Sequence, residues 1–204
     1  MKAHTLIALK GTFRTPADIQ DFLNSIPQNF EKGGATCKSP ASVLKTGSAH
    51  CIEGAMLGAY LLKTLGYPPL LLDLRVGIKD ETDFDHVVAP FKQNGFWGAL
   101  SKTNHAVLRY REPVYKTIRE LALSYFHEYF TDDGRKTLRS YSVPFNLSRF
   151  PGWETADTDV WYIPEALNKA KHITLLSPAQ IRNLRKADLV ERKAGTITEW
   201  PKRT

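Results

Sequence analysis

The 204-residue sequence lacks several features that would assign it to a specialised class of protein. It has no apolar run near the roughly 20 residues that cross a bilayer, no internal repeat and no low-complexity segment. The apolar stretch in the first ten residues is too short, and is interrupted too soon by Lys10, for a secretory signal. We therefore expect a globular protein with no membrane association and a cytoplasmic location.

Cysteine is also scarce, with only Cys37 and Cys51 in the chain. The pair could form one disulfide, but a cytosolic chain long enough to bury a sizeable core does not need it. His50 beside Cys51 could suggest zinc, yet adjacent side chains rarely bind one ion together. We expect no metal and no cofactor, and a single domain over residues 1–204 with a core at about 15–130 and a helical C-terminal extension at about 131–204.

Positive charge exceeds negative charge, and the excess is concentrated near the C-terminus. The formal net charge is +7, and seven bases against three acids from residue 182 onward contribute +4 of it. Such a region could engage an acidic partner. It contains no recognition motif and no interleaved aromatic residues, so nucleic-acid binding is not indicated.

Two segments have clear helical signals. Thr15 followed by Pro16 is typical of an N-cap with proline at the first helical position, and this helix should end before Pro27. From Cys51 to Leu65 the apolar residues recur at helical spacing. Gly66 and the two prolines after Tyr67 would end this second helix, which we expect to be buried and central.

The rest of the chain predicts mainly strands, followed by further helices. Asn94-Gly95 between apolar runs is a strong hairpin signal. The order of elements predicts an α+β fold in which a central cysteine-bearing helix packs on an antiparallel sheet. The predicted strands are 70–76, 84–91, 96–101 and 106–110; the predicted helices are 114–130, 164–172 and one from 177 onward, and residues 29–50 are predicted to be an irregular connector.

The strongest functional signal is the position of Cys51 at the start of the central helix. Backbone N–H groups and the helix dipole favour the thiolate there, and the thiolate is the nucleophilic form of cysteine. A thiol nucleophile needs a base, and that base needs an orienting partner. His86, on the strand that follows, is the candidate base.

The hairpin offers alternatives for the group that orients His86. A four-residue loop would place His86 opposite Ser101, whereas a two-residue turn at Asn94-Gly95 would place it opposite Thr103. Asn104 would reach the imidazole only if the strand ended first. His105 shares the face of Ser101 and is a competing base.

This arrangement resembles the transglutaminase-like superfamily of papain-like thiol enzymes. The resemblance covers about residues 45–105 and is carried by Cys51-Ile52-Glu53-Gly54-Ala55, Gly66-Tyr67-Pro68, Asp85-His86 and Gly95-Phe96-Trp97. It implies a papain-like fold and catalytic roles for Cys51 and His86. Ser101 occupies the position of the family's usual carboxylate, four residues after Trp97, and Asn104 could instead imitate the Cys-His-Asn variant of papain-like proteases.

The function that follows is thiol-dependent acyl transfer or amide hydrolysis through an acyl-enzyme intermediate. Peptide, amide or thioester substrates fit it, and the related arylamine acetyltransferases share the Cys-x-Glu feature. Because a serine cannot stabilise imidazolium as a carboxylate does, the alternative is a non-catalytic binding module on the same fold. The candidate catalytic residues are Cys51, His86, Ser101 and Asn104.

Overall fold

The protein has an α+β fold built on an antiparallel sheet. The computed structural model describes residues 5–77 and 84–199. The first four residues of the N-terminal apolar stretch lie outside the described part, as do Asp83 and the basic C-terminal residues Lys202 and Arg203. In chain order the elements are α1 (Pro16–Ser25), α2 (Pro40–Thr46), α3 (Cys51–Thr64), β1 (Leu70–Val76), β2 (His86–Gln93), β3 (Phe96–Leu100), β4 (Arg111–Tyr115), α4 (Ile118–Leu123), β5 (Leu138–Ser142), β6 (Phe145–Asn146), α5 (Tyr162–Lys169), β7 (His172–Thr174), α6 (Pro178–Arg182) and α7 (Leu189–Gly195).

The sheet separates two apolar cores. The strand order is β4-β3-β2-β1-β5-β7, with β6 also paired to β1, and all these pairs are antiparallel. Val87 and Ala89 belong to the core that contains α3, whereas Val88 between them belongs to the core that contains α4. This alternation follows from the two-residue period of a strand. None of the helices in the described ranges is long and apolar enough to cross a bilayer.

The elements with the clearest local signals match their predictions. Thr15 caps α1, because its hydroxyl accepts a hydrogen bond from the Asp18 N–H at 3.2 Å and the Asp18 carboxylate accepts one from the Thr15 N–H at 2.9 Å. Helix α3 begins at Cys51, and β1 covers residues 70–76 as expected. In the hairpin, Gln93 pairs with Phe96 around Asn94 and Gly95, both at positive φ. The two-residue turn is therefore the correct alternative.

The region after the hairpin differs from the prediction. The strand expected at 106–110 lies instead at Arg111–Tyr115, and the helix expected at 114–130 is reduced to Ile118–Leu123 plus a 3-10 turn at Phe126–Glu128. Gly98 explains the shift, since a Cβ there would lie 2.8 Å from the Arg111 carbonyl oxygen. The missing side chain lets β4 approach β3 closely. The first residues of the predicted helix, 114 and 115, therefore pair with β3 as part of β4.

Two other predictions were incomplete. The extension at 131–204 is not only helical, because it adds β5, β6 and β7 to the sheet, and the connector at 29–50 contains α2. These strands are two to five residues long, too short for a periodic pattern to indicate them. Helix α2 does carry a readable signal, since Ser39 caps it and Pro40 opens it.

Gly54, in the second turn of α3, is required for the contact between this helix and the chain after β3. A Cβ at Gly54 would lie 2.2 Å from Cβ and 2.5 Å from Cγ of Lys102. We expect Gly54→Ala to lower the free energy of unfolding by about 1–3 kcal/mol, because these atoms near the backbone cannot move aside. Urea denaturation would measure the change.

Gly58, one turn further along α3, is the matched control. Its added Cβ would meet Leu100 Cδ1 at 3.1 Å and Leu23 Cδ1 at 3.2 Å, and side-chain ends can shift. The strain in Gly58→Ala is offset by a helix-propensity gain of about 1 kcal/mol. Equal losses for the two variants would contradict a specific contact at Gly54.

Candidate active site

A cleft of about 1010 Å³ opens at the start of α3. Its lining includes His50 and Cys51 from that helix start, His86 from the first position of β2 and Lys102 from the segment after β3. Residues of α7, with Leu189 among them, form part of the wall. The cleft therefore brings together both members of the predicted nucleophile–base pair.

The thiol of Cys51 lies between two imidazoles. Cys51 is the first residue of α3 and is half-buried. Burial raises the pKa of this thiol, but hydrogen bonds with His50 and His86 and the charges of these rings outweigh burial and lower the pKa to about 6. The thiolate is thus the main form at neutral pH.

His86 is oriented by a hydrogen-bond chain. The Ser101 hydroxyl donates its hydrogen to the Leu108 carbonyl oxygen at 2.6 Å. Its oxygen can then only accept a hydrogen bond from His86 Nε2, which lies 2.8 Å away. Nε2 therefore carries a hydrogen, and Nδ1 is the nitrogen left for the thiol.

Ser101 is itself held by Gln20 of α1. The Ser101 N–H donates to Gln20 Oε1 at 2.9 Å, and Gln20 Nε2 donates to the Ser101 carbonyl oxygen at 2.9 Å. Gln20 is 4% exposed, so water does not compete for these bonds. The sequence showed Gln20 only as a polar residue in an amphipathic helix, and nothing local indicated its contact with Ser101.

The strand register alone does not explain the pairing of His86 with Ser101. Regular pairing between β2 and β3 ends at Ala89 opposite Leu100, and His86 pairs with Leu74 on β1. Beyond Leu100 the chain leaves the sheet, which places Ser101 at the imidazole, whereas the extended register would place Thr103 opposite His86.

The structure brings neither Asn104 nor His105 to the position that orients His86. Asn104 lies outside the lining of the cleft, and its carbonyl oxygen accepts a hydrogen bond from the Glu199 N–H at 2.8 Å. His105 does line the cleft, but its Nδ1 lies 3.2 Å from the Gly195 carbonyl oxygen. Both residues thus contact the C-terminal segment.

The sequence did not indicate the place of His50 beside the thiol. Its Nε2 donates to the Thr36 carbonyl oxygen at 2.9 Å and lies 3.4 Å from Glu53 Oε1 and 3.7 Å from Glu31 Oε1. Burial lowers the pKa of His50, but the hydrogen bond with Cys51 and the negative charges of Cys51 and Glu53 raise it to about 9. His50 is therefore a cation at neutral pH.

Glu53 holds the start of α3 in place. The sequence indicated a helix-capping role, and Glu53 Oε2 does accept the His50 N–H at 3.0 Å. The carboxylate is fully buried and also accepts the Thr36 hydroxyl at 2.7 Å and the Lys38 N–H at 2.9 Å. Lys38 Nζ adds an ion pair at 3.6 Å. The loop before Cys51 is thus anchored on one negative charge.

The second cysteine, Cys37, is not among the residues that line the cleft. Cys37 is free and buried, and burial together with the negative charge of Glu53 raises its pKa to about 12. Within residues 5–77 and 84–199, no group of three or more His, Cys, Asp or Glu side chains is arranged to hold a metal ion.

Comparison with known proteins found similarity among solved structures alone. No protein-family model and no curated protein matches the chain. Legionella pneumophila LapG aligns with 43% of this chain and 51% of its own, at 18% identity and a TM-score of 0.33. The EGTA-treated form of LapG aligns with 68% of this chain and 74% of its own, at 11% identity and a TM-score of 0.36. The chain thus spans about half the length of the first of these structures and about three quarters of the second.

Proposed function

We propose that the protein is a thiol-dependent enzyme that transfers or hydrolyses acyl groups through an acyl-enzyme at Cys51. The observation that supports this most directly is the position of the Cys51 thiol between His50 and His86 at a helix N-terminus, in an open cleft. A cysteine used only for packing needs no such neighbours. Peptides, amides and thioesters are the proposed substrates.

The proposed reaction uses Cys51 as nucleophile and His86 as base. The thiol has given its proton to Nδ1 of His86 before the attack; the thiolate sulfur then attacks the carbonyl carbon, so that an S–C bond forms and the carbonyl π electrons move to oxygen. The Cys51 N–H at the helix start helps to hold this oxyanion. The C–N, C–O or C–S bond then breaks as His86 returns the proton to the leaving group, and water or an amine releases the acyl group.

In this site the charge that stabilises the thiolate would come from His50, because the Ser101 position holds no carboxylate to stabilise an imidazolium at His86. Ser101 can fix the ring of His86 but cannot offer a negative charge to imidazolium. Two carboxylates, those of Glu53 and Glu31, lie instead at His50. In this proposal His50 holds the thiolate as a permanent cation, whereas His86 moves the proton.

The pH dependence of thiol alkylation tests this division of roles. In the wild type, the rate of Cys51 alkylation by iodoacetamide should rise with a midpoint near pH 6, because the thiolate forms there. It should stay level until His50 loses its proton near pH 9. In His50→Gln and in His86→Gln we expect the midpoint to move to about pH 7–9, since one stabilising neighbour is lost. The midpoint is compared, and not the rate at one pH, because a thiolate of higher pKa is intrinsically more nucleophilic. At a single pH this higher nucleophilicity would offset the smaller fraction of thiolate.

His127→Gln, a replacement on the exposed surface, is the matched control and should leave the midpoint near that of the wild type. Peptide mapping separates Cys51 from Cys37, whose high pKa keeps it unreactive. A wild-type midpoint near about 8.5 that neither histidine replacement moves would overturn the proposal. It would favour the alternative, a binding module that engages an acidic partner through its basic C-terminal region.

A further inference from the structure

The hydrogen-bond chain behind His86 extends to α1, a helix outside the cleft lining that the structure describes. Gln20 of this helix is buried. Its Oε1 accepts a hydrogen bond from the Ser101 N–H at 2.9 Å, and its Nε2 donates to the Ser101 carbonyl oxygen at 2.9 Å and to Asn24 Oδ1 at 2.8 Å. Because both hydrogens of the amide are used and its oxygen accepts, the amide has one fixed orientation.

Gln20 holds the backbone of Ser101 at the point where the sheet ends. Strand pairing between β2 and β3 stops at Ala89 opposite Leu100, and Gln20 then bonds the N–H and the carbonyl of Ser101 as a neighbouring strand would. Ser101 is fully buried, and a buried peptide group without its partner is costly. Loss of Gln20 is therefore expected to move this backbone rather than leave it in place without partners.

The backbone of Ser101 determines where its hydroxyl can lie. Once the backbone is fixed, the position of the oxygen depends only on rotation about the Cα–Cβ bond. This oxygen bonds the Leu108 carbonyl oxygen at 2.6 Å and His86 Nε2 at 2.8 Å, both good hydrogen-bond lengths. A shift of the backbone would lengthen one or both bonds, and the imidazole would lose the contact that leaves its Nδ1 for the thiol.

We infer that Gln20 is a positioning residue for the proposed reaction, and that through Ser101 it keeps the His86 imidazole where it can accept and return protons. Gln20 itself touches no reacting atom. The inference rests on the proposed function and adds to its machinery a residue 81 positions away from Ser101 in sequence. Its main effect falls on release of the acyl group, because water needs a base to attack the acyl-enzyme.

Burst and steady-state kinetics with p-nitrophenyl acetate test the inference. This ester acetylates the thiolate of Cys51 in a burst, and water then releases the acetyl group. Gln20→Met keeps an unbranched side chain but removes the amide. At a pH where Cys51 is ionised, we expect this variant to keep the burst while its release rate falls about 10–100-fold, the effect of a small misplacement of a catalytic group.

A double-mutant comparison separates positioning from a general structural role. Ser101→Ala keeps the backbone groups that Gln20 binds but removes the hydroxyl that reaches His86. Because Gln20 acts through this hydroxyl, Gln20→Met should lower the release rate less than about twofold in the Ser101→Ala background. A residue that only stabilised the fold would lower the rate by the same factor in both backgrounds.

Thr15→Ala is the matched control, because it weakens α1 at its N-cap and leaves the contact with Ser101 in place. It should keep the release rate of the wild type. An unchanged rate in Gln20→Met, an equal fall in the Ser101→Ala background, or an equal fall in Thr15→Ala would overturn the inference. Failure of the proposed function looks different, since the wild type would then show no burst, or a release rate that does not respond to His86→Ala. A Gln20→Met protein that loses its thermal transition is replaced by Gln20→Asn, whose shorter amide cannot keep both bonds and to which the same expectations apply.

Discussion

Reaction with p-nitrophenyl acetate is expected to produce a burst of p-nitrophenolate as Cys51 is acetylated, followed by slow turnover. The leaving group of this ester needs no proton, so the burst reports the thiolate alone. Release of the acetyl group requires a base to activate water. We therefore expect His86→Ala to retain a burst at about pH 8 while the steady-state rate falls by about 10²–10⁴-fold. Absorbance of p-nitrophenolate and the mass of the acetylated protein provide the measurements.

Three controls make this result specific. Cys51→Ser should lose the burst, because a serine hydroxyl at this helix start is not ionised. His50→Gln should slow the burst below neutral pH, where its thiolate is less populated, but should leave the release step largely intact. His127→Gln should behave as the wild type. A wild type without a burst, or a release rate that does not respond to His86→Ala, would show that these residues do not form an acyl-transfer site.

Replacement of Glu53 by glutamine is expected to reduce the free energy of unfolding by about 3–5 kcal/mol, the usual effect of removing one member of a buried ion pair. The amide keeps one acceptor oxygen, but its NH₂ group faces donors that the carboxylate now accepts, from Thr36, Lys38 and His50. The ammonium of Lys38 would also lose its counter-charge. Urea denaturation of both proteins measures the difference.

The loss of unfolding free energy in Glu53→Gln should depend on pH, and the pKa of Glu53 gives the direction of that dependence. Burial raises the pKa of Glu53, but the Lys38 N–H, the His50 charge and the Thr36 hydroxyl together hold it below its ordinary value. The carboxylate therefore contributes its full stability above about pH 5, and that contribution shrinks as the pH falls through the folded-state pKa. The difference in unfolding free energy between the wild type and Glu53→Gln should therefore decrease at acidic pH.

The same replacement should raise the alkylation midpoint of Cys51, since His50 would lose the charge that holds its proton. Glu154→Gln is a suitable comparison, because Glu154 forms a more exposed ion pair with Lys63. That variant should lose less than about 1 kcal/mol and keep the midpoint of the wild type. A Glu53→Gln protein as stable as Glu154→Gln would contradict the role of Glu53 as an anchor.

Local patterns were sufficient for the helix that carries the nucleophile and for the strand that follows it. The helix from Cys51 could be predicted because its apolar residues recur at helical spacing, and the strand at Leu70–Val76 because it is a short run of mainly apolar residues. The Asn94-Gly95 turn was predictable because few residues tolerate its positive φ values. Elements fixed by contacts with other parts of the chain were not predictable, as the shift of β4 beside Gly98 shows.

The amino-acid sequence by itself determined that a thiol would stand at the start of a buried helix and that His86 would lie in a strand of the neighbouring sheet. It left open whether Ser101 or Asn104 would orient the imidazole, and it did not indicate His50 or Gln20. Tertiary structure decided these points, because they depend on where the chain goes after the sheet ends at Leu100. That path is set by distant contacts: Gln20 holds Ser101 across 81 residues of sequence, and Gly54 makes room for Lys102. Such contacts join surfaces whose local sequence carries no sign of the partner.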